Sequence, residues 1–266
     1  MSESRPDPLA QFENDAKFVT ALARGLSILG AFHRGNTTLG NQALAEKTGL
    51  PKATVSRLTY TLCKLGYLMQ TDPGGEYRLT TGVMTLGFGA MAATGLHDRA
   101  MIEMAALCQG DNANVTAGLG ERHHLSMVYV ATYKREEALA LSFTLGGKVP
   151  LFSSALGRAC LMALSPARQE ELLEQARAVA PDAVRGQLDG WLEKARSDYA
   201  RYGFCTSFGE WRKEINGIAA PLRFADTQRN LALNVGGFNF FNPPEDLIHK
   251  YGERLLQAAS NLSLRP

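Results

Sequence analysis

The sequence predicts an α+β chain in two parts, and three observations carry that prediction. Residues 18–80 repeat apolar side chains at helical spacing and end in two short apolar runs around a Pro-Gly-Gly turn. From Asn114 the apolar period drops to two, the signature of strands. After Ser153 helical patterns return, and strand patterns resume at Phe204. That order describes one antiparallel sheet with helices packed on it, preceded by a separate helical head. A length of 266 residues also favours two domains over one.

Residues 1–17 read as a loose tail, with Asp, Glu and Pro where a signal peptide needs basic and then apolar residues. The head is assigned to residues 18–80. Phe18 to Phe32 forms the first helix, its stripe Val19, Leu22, Leu26 and Leu29 expected to pack under the next two. Gly35-Asn36 ends it, and Thr37-Thr38 is placed to cap the second. Thr48-Gly49 closes that second helix, because glycine tolerates the left-handed conformation of a helix C-terminus. Pro51 opens the third, where a missing N–H costs nothing.

In the third helix Val55, Leu58, Leu62 and Leu65 form one apolar stripe. The other face carries Lys52, Thr54, Ser56, Arg57, Thr59 and Tyr60, with no carboxylate between Pro51 and Gln70. Such a face can approach a polyanion and hydrogen-bond base edges in a major groove. Tyr67 to Gln70 and Glu76 to Leu79 flank the turn 71–75 as a hairpin. Helix, tight turn, helix and hairpin together make a winged DNA-binding module. Lys52, Arg57, Lys64 and Arg78 are the candidate phosphate contacts, and Thr54, Ser56, Thr59 and Tyr60 the candidate base readers. The plainer alternative is a small helical core with a solvated polar face; the hairpin and the missing acids weigh against it.

Residues 81–107 give the next long helical pattern, of which 81–97 is read as a linker helix. Its two apolar stripes, Val83, Leu86, Ala90, Ala93 and Met84, Phe88, Met91, imply two partners, the winged head and a twin subunit. Gly87-Phe88-Gly89 lacks the full dinucleotide spacing and follows no buried strand, so it is not read as a nucleotide loop. Gly95 breaks the helix and Asp98 is expected to cap its successor.

The body is assigned to residues 98–266. Strands are expected at 115–119, 125–133 and 138–145, with 146–150 as a loop. Ser153-Ser154 caps a helix from Ala155 to Leu164, Ser165-Pro166 starts another, and Asp182 to Tyr202 forms a third. Strands follow at 204–208, 217–224 and 231–238, and a helix from Pro243 to Leu262 closes the chain.

Composition is that of a globular protein, 45% hydrophobic and 20% charged, with a net charge of only +2. Its distribution says more. Residues 18–80 hold seven Lys/Arg against three Asp/Glu, a net of +4, whereas residues 98–266 hold 19 of each. A basic head on a neutral body is the footprint of a phosphate-binding domain fused to something else. The four cysteines, Cys63, Cys108, Cys160 and Cys205, are scattered and suit a reducing cytoplasm. No apolar run reaches the roughly 18 residues of a membrane span, so no membrane partner is expected. No G-x-S-x-G elbow or Walker loop occurs. His123-His124 lacks further ligands and reads as a solvated turn, and the run Glu210 to Glu214 as a charged loop rim. No metal or cofactor is expected. The rival class is a small-molecule-processing enzyme with an appended winged domain. Turnover of a bound acid would favour the enzyme; a metabolite-sensitive mobility shift with DNA would favour a regulator.

Several segments, taken in order, resemble the IclR family of bacterial transcription regulators. They are ARGLSIL, TGLPKATVSRLTYTLCKLGYL, EYRLTTGVMTLG, GGKVPLFSSALGRACLM and IAAPL, and the resemblance spans about Phe18 to Leu262. It implies a winged helix-turn-helix, a dimerising linker helix and a GAF-like effector domain, assembled as a homodimer or a dimer of dimers. Operator DNA and a small organic acid are the implied partners, with RNA polymerase a further candidate. The acid would sit between the sheet and the segment PLFSSALGR. Independently, Ser153, Ser154, Ala155 and Leu156 present N–H groups at a helix N-terminus, a receptor for a carboxylate, and Phe143 and Phe152 lie near enough in sequence to cover an apolar body. The alternative is that Ser153 caps its helix and the phenylalanines are core. The family's remaining contacts fall on Ser207, often acidic there, on Asn216-Gly217, where a cysteine is frequent, and on Asn234-Val235-Gly236-Gly237 in place of Ser-x-Ser-Gly. Fewer hydroxyls and more room suggest an aromatic or medium-chain carboxylate rather than a two-carbon acid.

Overall fold

The computed structural model describes residues 15–33, 35–71, 75–92, 96–139, 144–224 and 229–263. The chain divides into two compact units, 1–93 and 94–266. Most of the expected N-terminal tail, Gly95 and Phe143 lie outside the described residues.

The first unit runs α1 (Thr20–Gly30), α2 (Asn41–Thr48), α3 (Lys52–Lys64), β1 (Leu68–Thr71), β2 (Glu76–Leu79) and α4 (Thr81–Ala92). Its core gathers Ile28, Phe32, Leu39, Leu44, Leu50, Val55, Leu62 and Leu68. The tight turn is built as expected: Gly49 takes φ +72° and its N–H closes on Ala45 O at 2.9 Å. The hairpin pairs Leu68 with Leu79 through Thr71 with Glu76, and Leu39 bridges Tyr77 to tie it to the segment before α2.

Three details differ from expectation. The α1 stripe faces solvent at Val19, Leu22 and Leu26, while Ile28 and Phe32 are buried. A helix apolar on two sides does not announce which side is inner. Leu65 is 63% exposed because α3 ends at Lys64 and the chain turns at Gly66, so Leu68 fills the core position instead. Gly40, not Thr37 or Thr38, precedes α2, and no side chain caps it.

The second unit opens with α5 (His97–Leu107), which Leu96 precedes; Asp98 sits in its first turn rather than capping it. Six strands follow, β3 (Thr116–His123), β4 (Ser126–Lys134), β5 (Lys148–Pro150), β6 (Cys205–Phe208), β7 (Ile215–Pro221) and β8 (Leu231–Phe238). They form one antiparallel sheet in the order β5-β4-β3-β8-β7-β6. Inserted after β5 are α6 (Ala155–Met162), α7 (Pro166–Val179), α8 (Asp182–Arg185) and α9 (Leu188–Tyr202). The expected single helix 182–202 is therefore two. The C-terminal helix is also interrupted: α10 (Pro244–Asp246) and α11 (Gly252–Ser263) flank a π-helical turn, Leu247–Tyr251.

The strand expected at 138–145 is not formed by its described residues, and the expected loop supplies β5 instead. Gly146 and Gly147 dock on Tyr129 through two backbone hydrogen bonds, at 2.8 and 3.0 Å, and so deliver Lys148 to the edge of β4. Alternation alone cannot mark such a strand, because Leu139 and Leu145 on the earlier run remain exposed. One sheet face packs on α5, the π turn and α11. The opposite face packs on α6, α7 and α9, and that second layer builds the pocket described below.

Candidate nucleic-acid interface and ligand pocket

On α3 the residues Lys52, Ser56, Arg57, Tyr60 and Lys64 are exposed, and Thr54 is half-buried. Arg78 is exposed on β2. Lys64 Nζ lies 5.4 Å from the centroid of the Tyr60 ring, a cation–π placement that leaves the charge in solvent. The Ser56 hydroxyl accepts from Asn41 Nδ2. Among the described residues, every ion pair lies in the second unit. Among the described residues no carboxylate pairs with the cations of the head, as suits phosphate ligands.

Thr59 is a correction. It is 0% exposed, and its hydroxyl donates to Val55 O and Ser56 O at 3.0 and 3.1 Å. It is a core residue of the helix and cannot read a base. Arg24 is an addition. A groove of about 630 Å³ between α1 and α3 is lined by Ala21 and Arg24 together with Thr54, Ser56, Arg57, Leu58, Tyr60 and Thr61. The Arg24 Nε is buried with no hydrogen-bond partner among the described residues. Arg24 is one of the seven cations of the head, but the helical spacing of α1 does not by itself assign its face a role.

In the second unit the N-terminus of α6 opens into a pocket lined by eleven residues. From the expected set come Ser154, Ala155, Leu156, Ser207, Asn216, Gly217 and Asn234. Tyr129, Val149, Trp211 and Ile215 join them. Ser154 is the helix cap: its hydroxyl accepts from Gly157 N at 3.1 Å and donates to Pro150 O at 2.6 Å. The first bond of the helix backbone runs from Arg158 N to Ser154 O, which leaves the N–H groups of Ala155 and Leu156 without an acceptor inside the helix. Those two groups and the helix dipole favour an anion.

Three expected contacts do not reach the pocket. Ser153 is buried, and its carbonyl accepts from Ser207 Oγ at 2.7 Å. Phe152 packs in the core under α6. Gly236 offers no space: a Cβ there would lie 2.3 Å from Asn216 O and 2.7 Å from Gly217 Cα. The hydrogen that replaces a side chain at Gly236 lets β7 and β8 close on each other rather than widening the pocket. Asn216 keeps its place in the lining, but its amide donates to Asn242 O at 3.0 Å. The pocket measures only about 20 Å³, room for a single water.

Among the described residues no cation lines this pocket. The nearest candidate by sequence, Arg158, is fully buried on α6. It spans Phe152 O (2.8 Å), Thr206 O (2.7 Å) and both carboxylate oxygens of Glu210 (2.7 and 3.1 Å). The charged run 210–214 is therefore no idle rim. Glu210 is clamped to α6, and its neighbour Trp211 closes the pocket with Arg212 stacked 4.9 Å from the ring centroid. A charge run with an aromatic inside it was the available signal, though its ion-pair partner 52 residues away was not legible. Among the described residues no group of side chains suits a metal ion, and no helix is long and apolar enough to cross a membrane.

Comparisons with known proteins match both halves. Residues 21–72 match the IclR helix-turn-helix domain, and residues 89–264 match the bacterial transcriptional regulator IclR C-terminal domain. The HTH-type transcriptional regulator TsaQ1/TsaQ2 of Comamonas testosteroni is 37% identical over 82% of this chain and 77% of its own. The crystal structure of an IclR family transcriptional regulator from Brucella abortus superposes with a TM-score of 0.83 at 39% identity, covering 94% of each chain. An IclR homologue from Microbacterium hydrocarbonoxydans, solved with 4-hydroxybenzoate, gives a TM-score of 0.71 at 22% identity, over 91% of this chain and 97% of that one. With an exposed cationic helix in the first unit, a helix-terminus pocket in the second and both halves of the sequence matched in order, the chain belongs to the IclR family of DNA-binding transcription regulators.

Proposed function

We propose that two copies of this regulator associate, present their winged heads to two operator half-sites, and are switched by a small aromatic or medium-chain carboxylic acid. The operon controlled is a catabolic one, and the protein acts in the cytoplasm. The observation that supports the DNA half most directly is the α3 face, cationic, hydroxylated and without an internal ion pair. Arg24 joins Lys52, Arg57, Lys64 and Arg78 as a phosphate contact, while Thr54, Ser56 and Tyr60 face base edges. Half-sites then sit roughly 34 Å apart or at a multiple of that spacing.

The effector half is supported by the N-terminus of α6 opening between apolar and aromatic walls, Val149, Leu156, Ile215, Tyr129 and Trp211. The aromatic acid bound by the homologue from Microbacterium hydrocarbonoxydans points to the same class. A cavity of about 20 Å³ admits no carboxylic acid, so the pocket must widen for an effector to enter, and the loop carrying Trp211 is the wall proposed to move. The acid can change operator affinity only by preferring one arrangement of the heads over another.

The test is a binding titration on DNA from upstream of the adjacent operon, repeated between about 50 and 200 mM salt. Saturable binding that weakens steeply with salt and shifts when an aromatic acid is added is the expected result. Absence of affinity for such DNA at the low-salt end, or tight binding of glyoxylate or acetate alone, would count against the corresponding half of the proposal.

A further inference from the structure

We infer that Asn41, on α2, keeps the proton of the Ser56 hydroxyl free for the duplex, and so makes Ser56 a hydrogen-bond donor to a base acceptor. Asn41 is then a positioning residue for operator choice, acting through a neighbour on α3. This inference rests on the reading of the α3 face as the surface that meets base edges.

It starts from where the hydroxyl protons of α3 go. Thr59 donates to Val55 O and Ser56 O, and Thr61 donates to Arg57 O at 3.0 Å. Both protons are spent on the helix backbone, a common course for such side chains inside a helix. Ser56 differs. It is exposed, and its Oγ accepts a hydrogen bond of 2.5 Å from Asn41 Nδ2. Its own proton has no acceptor among the described residues. A hydroxyl carries one proton and two lone pairs. Accepting a bond from Asn41 polarises it, so that it donates more strongly and accepts a second bond less readily.

The placement of Asn41 follows from the sequence around it. Gly40 takes the N-cap position of α2, so Asn41 stands at the first helical position and its side chain is not used as a cap. Leu44 of α2 and Val55 of α3 share one core, which holds the two helices together. The orientation of the amide follows from burial. Asn41 Oδ1 is buried with no partner among the described residues. Turning the amide over would bury two protons there instead, and orphaned donors are rarer in native interiors than under-used acceptors. In the major groove guanine N7 and O6 and thymine O4 are acceptors, whereas cytosine presents its N4 amino group. A donating Ser56 therefore favours guanine or thymine over cytosine.

The experiment is selection of duplexes from a random pool by the full-length protein, by Ser56→Ala and by Asn41→Asp. The aspartate keeps the shape of the side chain and suits the first turn of a helix, but it can only accept. Ser56 must then give its proton to the carboxylate and offers the duplex lone pairs alone. The expected result is that Ser56→Ala loses the preference at one base pair of each half-site, which marks the pair that Ser56 reads. There the unaltered protein favours guanine or thymine over cytosine roughly three- to ten-fold. In Asn41→Asp the preference at that pair turns to cytosine, while the rest of the selected sequence is kept and affinity falls uniformly through the added negative charge. Should that variant bind too weakly for selection, Asn41→Ala reads the same pair, and its preference shrinks towards one. A cytosine preference in the unaltered protein, an unchanged preference in the Asn41 variants, or no base pair that responds to Ser56→Ala overturns the role of Asn41 and leaves DNA reading by α3 standing. Enrichment of no sequence by the unaltered protein overturns both.

Discussion

Arg57 and Thr59 sit two residues apart on α3 and have opposite fates. Arg57 is exposed with no ion-pair partner among the described residues, whereas Thr59 spends its hydroxyl on its own helix. Arg57→Ala is expected to lower operator affinity, to reduce the salt slope by about one, and to leave the melting temperature and effector binding unchanged. Thr59→Ala is expected to do the reverse. It costs about 1 kcal/mol of stability by removing a buried methyl and hydroxyl and leaves the salt slope of DNA binding intact. Thermal melts and anisotropy titrations on the two variants read both outcomes. A large loss of operator affinity in a folded Thr59→Ala protein would contradict the burial argument. The chemistry of these residues was legible in the sequence, since a run of hydroxyls and cations without acids needs no coordinates to be seen. Their individual orientations were not: Thr59 lies near the boundary of the apolar stripe, where one residue of helical phase decides between core and groove. Asn234 and Ser207 were found through the family pattern, while Tyr129 lay unremarked on a strand whose alternation does not say which face holds a pocket.

At the scale of elements, the loop between β6 and β7 ties the pocket to the rest of the second unit. Arg158 reaches it from α6, and Glu210 answers with two hydrogen bonds. A guanidinium buried this fully depends on its partner, because an unpaired charge in that position is costly. Glu210→Gln keeps the shape but removes the charge. It is expected to destabilise the fold by about 1–3 kcal/mol and to speed hydrogen exchange of the amides around Trp211 more than those of β8. Mass-resolved exchange checks this, and uniform acceleration across the sheet would mean that the pair supports the whole unit instead of the loop. The same loop supplies a spectroscopic readout. The sequence holds two tryptophans, Trp191 and Trp211, so in Trp191→Phe the emission reports Trp211 alone. Binding of an acid is expected to shift that emission, since the ring forms part of the wall. An unchanged spectrum at saturating acid would place the opening elsewhere. Most elements were legible from periodicity and punctuation: the turn at Gly49, the cap at Ser154 and the start of α7 at Ser165-Pro166 fell where the sequence puts them. Strand β5 was not, because the three residues after the diglycine, the last of them a proline, carry too short a pattern to show alternation, and only pairing to β4 makes them a strand.

At the scale of the whole molecule, the first unit leaves apolar residues uncovered on two helices. Val19 at the N-cap of α1 and Leu22 and Leu26 within it are exposed, as are Met84, Leu86 and Phe88 on α4. Exposed apolar residues grouped in this way mark association surfaces more often than scattered ones do. The division into a basic head and a neutral body was readable from charge and from the change of period, but a surface that meets a copy of the same chain looks like core to any single-chain reading. The α1 stripe has the spacing of a core face, so the sequence alone reads it as inward. If two heads meet through these residues, then Leu22→Glu combined with Leu26→Glu should split the assembly without touching α3. Five phosphate contacts on each of two heads imply a salt slope of about −9, and one head alone about half that. The double variant is therefore expected to sediment as a smaller species and to bind operator DNA more weakly. Its salt slope should fall by about half, because bivalent attachment is lost along with half the contacts. Its affinity for the effector acid should be unchanged, since the pocket lies wholly in the second unit. Retention of the original sedimentation and the full salt slope would show that the α1 face is not the contact between heads, and would shift the expectation to α4.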